Sequence, residues 1–250
     1  MKYELDTIPV WDSFKAQTEC AFCLLERRSR SSAVRYYLGP SVMVPEVRVS
    51  VNKTGFSAEN ARLLSKDNNR LGLGLITHTR LKAVREASQQ FLSRPAEKKI
   101  LRKEIESLLE HLKHQSQGCL INSKIDEDMN RFAFTFVHLL KNDQDFSTAW
   151  SQSKGLCLKH VQIVLAMAVG LLSPSDLSRI APEIWLKTLE NLHRVENDLQ
   201  AFTQTFDATH SHEITGNPEK ALERALLKLY GLFPEYEEES KTHRGPLMGM

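Results

Sequence analysis

The sequence of 250 residues is poor in the residues that form tight turns, with 11 glycines and 9 prolines. So few turn formers exclude a sandwich or barrel built from many short strands. Charge of one sign is also lacking, because 33 Lys and Arg residues stand against 31 Asp and Glu, a net charge of +2. This balance removes the simplest electrostatic argument for a nucleic-acid-binding protein, so we do not expect nucleic acid as a partner.

Long hydrophobic runs are absent as well. The longest, residues 161–172, contains Gln162 and covers about 12 positions, whereas a membrane span needs about 20. The first residues lack the charged start and apolar stretch of a secretory signal, so we expect a cytoplasmic protein without a membrane span. Four cysteines in that reducing compartment are expected to be thiols, metal ligands or redox groups rather than a disulfide framework.

Apolar residues at helical spacing fill most of the chain, which predicts a mainly α fold, a helical bundle. We predict helices over residues 18–37, 57–91, from about 95 onward, and over 122–141, 157–172, 175–206 and 218–232. One segment differs from this helical pattern, because Val47, Val49 and Val51 alternate with polar residues. This alternation predicts a short extended segment near 42–51.

The most informative feature of the sequence is an internal repeat. Each half contains two short motifs, which in chain order are Cys20-x-x-Cys23, Ser57-x-x-Asn60, Cys119-x-x-Asn122 and Cys157-x-x-His160. The spacing agrees, because Cys20 and Ser57 are 37 positions apart and Cys119 and Cys157 are 38 apart. The shared template is Cys-x-x-Cys, a connection of about 33 residues, and then Gly-apolar-Cys-x-x-His.

This template has a direct chemical meaning. Two ligands three positions apart at the start of a helix project from the same face, so the two motifs together supply four ligands for a tetrahedral zinc ion. The glycine supplies a tight turn before the helix, and the helix N-terminus stabilises thiolates. We expect the extended segment to bring the chain back, so that the two motifs of each half meet.

Neither half keeps the complete set of ligands. The first half has Ser57 and Asn60 at the later ligand positions, which leaves only Cys20 and Cys23. In the second half Asn122 replaces a cysteine, which leaves Cys119, Cys157 and His160 as our main prediction of metal ligands. A Cys2His set with an open fourth position is typical of catalytic zinc sites as well as of decayed structural ones.

Several segments resemble an uncharacterised bacterial family of unknown function. They are residues 2–10, the Cys20-x-x-Cys23 pair, and residues 38–43, 69–75, 155–160 and 216–225. The resemblance covers nearly the whole chain. It implies that relatives have fuller Cys-x-x-Cys and Gly-Phe-Cys-x-x-His sets in both halves, and it implies no reaction or substrate.

We expect two similar helical units, residues 1–93 and 94–172, related by an approximate two-fold axis. Residues 173–234 are predicted to form helices that pack on both units, and residues 235–250 are predicted to be a disordered tail.

Three classes of function stay open. The favoured one is a non-enzymatic binding or scaffold protein with a protein partner and a degenerate zinc template, because the sequence shows no catalytic constellation. The second is a zinc-dependent hydrolase in which Cys119, Cys157 and His160 hold the metal and a metal-bound water is the nucleophile. The third is a thiol redox sensor that uses Cys20 and Cys23.

Overall fold

The computed structural model describes residues 6–89, 91, 98–206 and 216–231. These residues form helices and no strand, so the mainly α prediction is confirmed. The helices are α1 (Thr7–Lys15), α2 (Ala21–Leu38), α3 (Pro45–Thr54), α4 (Ala58–Lys66), α5 (Arg70–Ser88), α6 (Lys98–Gln117), α7 (Leu120–Asn142), α8 (Gln144–Ser151), α9 (Leu158–Leu171), α10 (Pro174–Gln204) and α11 (Ala221–Tyr230), with a 3₁₀ turn at Pro40–Met43. The predicted tail, residues 235–250, lies outside the described residues.

Within the described part of the chain, no helix combines the length and the apolar character that crossing a membrane requires.

The predicted extended segment near 42–51 is wrong, because the 3₁₀ turn and α3 occupy this part of the chain. Pro45 stands in the first turn of α3, and Gly55, with φ of 76°, ends it. These start and stop signals outweigh the alternation of valines. Val51 is buried and Val49 is 65% exposed, so the valines lie on different sides of a helix rather than on one face of a strand.

The other helices are close to their predicted positions, with two kinds of difference. The single helix predicted over 57–91 is two helices, α4 and α5, and Asn69 begins the second by accepting a hydrogen bond from the backbone N–H of Gly72 at 2.8 Å. The short helices α1 and α8 were not predicted, since nine and eight residues provide few periodic positions.

The chain forms two compact units. The first draws on residues 1–26 and 129–250, and the second is residues 27–128. These ranges differ from the predicted division at residues 93 and 172, because the first unit combines the start of the chain with its second half. The approximate two-fold relation stays a prediction.

An aromatic cluster forms the core of the first unit. Phe136 of α7 lies 5.5 Å from Phe14 of α1, 5.6 Å from Phe146 and 5.1 Å from Trp150 of α8, measured between ring centroids. Phe22 at the start of α2 packs on Phe136 at 5.8 Å. One of the two residues between the cysteines of the first motif, Phe22, is therefore anchored in this core, which fixes the position of the motif.

Helix α8 contributes Phe146 and Trp150 to that core, and Asp143 caps it by accepting a hydrogen bond from the N–H of Phe146 at 3.1 Å. We expect Asp143→Ala to lower the free energy of unfolding by about 1 kcal/mol, because the cap is lost. Urea unfolding should show a lower midpoint with an unchanged slope. Asp143→Asn keeps the acceptor and is the matched control. Equal midpoints for Asp143→Ala and the wild type would show that the cap contributes nothing.

Candidate metal centre

Three thiols and one imidazole meet inside the first unit. The Sγ atoms of Cys20, Cys23 and Cys157 and a ring nitrogen of His160 all lie within 4.8 Å of one another. The relative exposure of these residues is 0%, 4%, 0% and 0% in that order. We call this group the Cys3His cluster. A buried cluster of this composition can hold a metal ion.

The start of a helix positions each pair. Cys20 immediately precedes α2, and the N–H of Cys23 bonds to its carbonyl at 3.1 Å. Cys157 is the N-cap residue of α9, and the N–H of His160 bonds to its carbonyl at 3.1 Å. The predicted placement of ligands three positions apart at helix starts is therefore confirmed.

Gly155 makes the turn that leads into Cys157. Its φ of 66° lies in the left-handed region, and a Cβ at this position would lie 3.2 Å from the carbonyl oxygen of Lys187. Both observations require glycine, because other residues adopt this conformation at a cost and the space beside α10 is filled.

The distances between donors agree with tetrahedral coordination. Bonds of about 2.3 Å from zinc to sulfur and about 2.05 Å to nitrogen imply edges of about 3.8 Å and 3.6 Å. The Sγ atoms of Cys23 and Cys157 are 3.7 Å apart. Nδ1 of His160 lies 3.6 Å from the Sγ of Cys20, 3.4 Å from that of Cys23 and 3.1 Å from that of Cys157. The residues therefore fit zinc with little movement.

A carboxylate holds the far side of the imidazole. Nδ1 of His160 faces the three thiols, and Nε2 lies 3.1 Å from Oε2 of Glu26. The alignment falls short of a full hydrogen bond, and Nε2 has no other partner. Lys159 holds Glu26 in turn, with Nζ at 2.7 Å and 2.8 Å from the two carboxylate oxygens. This is the carboxylate and histidine arrangement that orients metal-binding imidazoles.

The pKa values of His160 and Glu26 are both shifted strongly from their usual values. Burial lowers the pKa of His160, but its close contacts with Cys157, Cys20 and Glu26 outweigh burial and raise it well above its usual value. Burial raises the pKa of Glu26, but its contacts with His160 and Lys159 hold it at about 2. The carboxylate is therefore ionised throughout the physiological range.

The thiols differ in their proton affinity. Burial raises the pKa of Cys20, but hydrogen bonds from Cys157, Cys23 and His160 outweigh it and hold the pKa well below its ordinary value. The pKa of Cys23 is raised, first by its contacts with Cys157 and Cys20 and then by burial. Of these two thiols, Cys20 therefore holds a negative charge more readily than Cys23.

The predicted combination of motifs is wrong. Cys20 and Cys23 were expected to face Ser57 and Asn60, and Cys119 was expected to join Cys157 and His160. In the structure the first motif of the first half meets the second motif of the second half. The two motifs that keep both of their Cys or His residues therefore lie together in one cluster. Cys119 belongs to the second unit and is not a member of the Cys3His cluster. Equal spacing in the two halves does not distinguish the two combinations.

The other two motifs meet in the second unit, at what we call the amide cluster: Ser57, Asn60, Cys119 and Asn122. Asn60 is fully buried, and its Nδ2, which has two hydrogens to donate, lies 3.1 Å from Oγ of Ser57, 3.2 Å from Sγ of Cys119 and 2.6 Å from Oδ1 of Asn122. The side-chain amide of Asn60 thus contacts every other member of the cluster. One thiol with two amides and a hydroxyl is not a donor set for zinc.

The thiol of the amide cluster is held by hydrogen bonds. Burial raises the pKa of Cys119, but bonds from the backbone N–H groups of Ser57 and Asn122 and from the side chain of Asn60 outweigh it and hold the pKa below its ordinary value. Gly55, with φ of 76°, precedes Phe56 and Ser57 as Gly155 precedes the motif of α9. The turn of the template is therefore present in both units.

Glu26 was missed by the sequence reasoning. It lies three positions after Cys23, and this spacing places both side chains on one face of α2. This spacing could have indicated that Glu26 lies near the cluster. Many acids lie near cysteines in a sequence, however, so the spacing alone does not identify Glu26.

Comparison with known proteins adds the family. No curated protein and no solved structure matches the chain. The model of a family of unknown function, DUF6062, matches residues 1–236, which confirms the resemblance drawn from the sequence. Since this match covers most of the 250 residues, the chain belongs to the DUF6062 family, whose function is unknown.

Proposed function

We propose that the Cys3His cluster holds one structural Zn²⁺ and that the protein is a non-enzymatic binding or scaffold protein built around it. The observation that carries the proposal is the geometry of the donors: four buried ligand atoms lie within 4.8 Å of one another, and four of their six separations, 3.1–3.7 Å, are close to the edges of a zinc tetrahedron. Four protein ligands in a closed site are typical of structural zinc.

The donor set supports zinc over other common metals. Thiolate and imidazole are the ligands that zinc prefers, whereas calcium and magnesium require several oxygen ligands. Sulfur-rich tetrahedral sites also accept iron, so metal analysis has to identify the ion.

The closed donor set argues against the hydrolase hypothesis. Catalytic zinc keeps an open position beside three protein ligands, and the hypothesis required Cys119, Cys157 and His160 to form that set. Cys119 lies in the other unit, and Cys20 and Cys23 complete the coordination instead. The ion therefore has a structural role in this proposal.

Such an ion would join distant parts of the chain. Cys23 and Cys157 are 134 positions apart, and α2 and α9 both begin at the cluster. A metal that closes so long a loop restricts the unfolded chain, and binding of zinc to comparable small sites contributes on the order of 10 kcal/mol. The zinc would stabilise the first unit, and the surface of the helices would remain for a protein partner.

The first test is the metal content of the purified full-length protein by mass spectrometry. We expect one zinc per chain in the wild type and in Cys119→Ser, and clearly less in Cys157→Ser, because that variant loses one of the four ligands. The two variants make the same chemical change, so they differ only in which cluster loses its thiol.

Two results would contradict the metal site. One is equal zinc content in Cys157→Ser and Cys119→Ser. The other is metal-free wild type with a reversible disulfide between Cys20 and Cys23, which is the outcome that the redox-sensor hypothesis predicts.

We also propose that the amide cluster is the second copy of the same site. Its support is the shared template: a glycine of positive φ, motifs that begin α4 and α7, and one buried group that contacts all the others. In this copy hydrogen bonds from Asn60 would replace the metal.

Restoring the template should restore the metal. We expect a triple variant, Ser57→Cys, Asn60→His and Asn122→Cys, to bind two zinc ions per chain, because Cys119 would complete a second Cys3His set. Mass spectrometry of the intact protein under native conditions counts the ions. A folded triple variant that binds one zinc only would show that the amide cluster does not have the geometry of the template.

A further inference from the structure

A buried lysine joins the two segments that deliver the ligands. Lys228 of α11 is 1% exposed, and its Nζ donates to the carbonyl oxygen of Glu19 at 2.7 Å and to that of Lys154. Glu19 directly precedes Cys20, and Lys154 is three positions before Cys157. One ammonium group therefore fixes the backbone on both sides of the Cys3His cluster.

The end of the same helix lies against a ligand. Gly231 ends α11 with φ of 69°, and a Cβ at this position would lie 3.7 Å from the Sγ of Cys157 and 3.5 Å from Cδ of Lys159. The end of α11 therefore lies close to the thiol of Cys157. Helix α11 approaches the cluster at two points, through Lys228, which binds the segments before Cys20 and Cys157, and through its own C-terminus.

Among the residues that the structure describes, the ion pairs around Lys228 contain more cations than carboxylates. Among the described residues, four cations share two carboxylates in ion pairs of 2.5–3.8 Å, and they are Lys154, Arg194, Arg224 and Lys228 with Glu19 and Asp198. Burying an unbalanced cation is costly. Burial lowers the pKa of Lys228, and the negative charge of nearby Cys20 and Glu19 opposes that effect.

A zinc ion with three thiolates and a neutral imidazole has a net charge of about −1. A negative charge on the metal centre would balance the excess of cations. Lys228 is the most deeply buried of those cations. The buried lysine and the anionic centre would therefore stabilise each other.

We propose that docking of α11 controls the release of the metal ion, and we call this role of α11 the latch. Lys228 balances the charge of the zinc thiolates and joins the two segments that carry the ligands. This inference rests on the proposed zinc site. It also makes the coupling reciprocal, because metal that is retained by a docked α11 must in turn stabilise the docking.

The test compares the rate at which zinc leaves Lys228→Met and the wild type. Both full-length proteins are loaded with zinc and mixed with an excess of a chromogenic chelator, and absorbance follows release. Methionine fills the space without the charge. We expect one zinc per chain in both and release from Lys228→Met that is about 10–100-fold faster, the usual effect of losing an outer-sphere partner.

A control variant separates this effect from general destabilisation. Ile180→Val removes one methylene from the core of the same unit, where Ile180 is fully buried, and should lower stability by about 1 kcal/mol. We expect its release rate to stay within about threefold of the wild type. Equal acceleration in both variants would overturn the latch.

Hydrogen exchange of the wild type gives a second readout that does not depend on any variant folding. Removing zinc should accelerate exchange of the α11 amides by about tenfold or more, while α5 of the second unit keeps its protection. Unchanged exchange of α11 would overturn the latch.

The outcomes also separate this inference from the proposed function. A wild type that binds no zinc overturns both. A wild type with one zinc per chain, whose release rate Lys228→Met does not change, overturns the latch and leaves the zinc site standing.

Discussion

The first unit depends on the burial of three thiols and an imidazole at one point. Groups that prefer water or a cation are brought within 4.8 Å of one another at 0–4% exposure. Burial of such groups is unfavourable unless they find partners. A metal ion bound by all four would satisfy them, and in the proposed zinc site the neighbouring charges on Glu26, Lys159 and Lys228 would support that state. The helices α2, α9 and α11 each begin or end at the cluster, so the arrangement of the unit follows from it.

The two clusters show two solutions to the same packing problem. Each unit brings two helix starts together, and one of the two follows a glycine of positive φ. In the first unit, four side chains that can bind a metal meet. In the second, the fully buried Nδ2 of Asn60 lies within hydrogen-bond distance of three neighbours, and its Oδ1 accepts from Arg30 at 3.0 Å. A hydrogen-bonded side chain thus keeps the second cluster polar and satisfied without the donor set that a metal needs.

Local signals made much of this predictable. Helical spacing predicted the long helices, and the Cys-x-x-Cys and Cys-x-x-His spacing predicted which side chains share a helix start. Local signals conflict at α3. The alternation of Val47, Val49 and Val51 predicts a strand, whereas Pro45 and Gly55 mark the start and the end of the helix that the structure shows.

Long-range features were not predictable from one sequence. The pairing of motifs depends on contacts across more than a hundred positions, and the equal spacing of the two halves is compatible with either combination. Glu26 and Lys228 act through the folded arrangement, because Lys228 reaches Glu19 across 209 positions. The same separation explains why Cys157 and His160 meet Cys20 and Cys23 in the fold, whereas Cys119, which the sequence grouped with them, does not join the cluster.

X-ray absorption at the zinc edge of the purified protein tests the central claim most directly, because it identifies the atoms bound to the ion. The account predicts a four-coordinate shell of three sulfur atoms at about 2.3 Å and one imidazole nitrogen at about 2.0–2.1 Å. A shell of oxygen and nitrogen alone, or one with two sulfurs and a bound water, would contradict it.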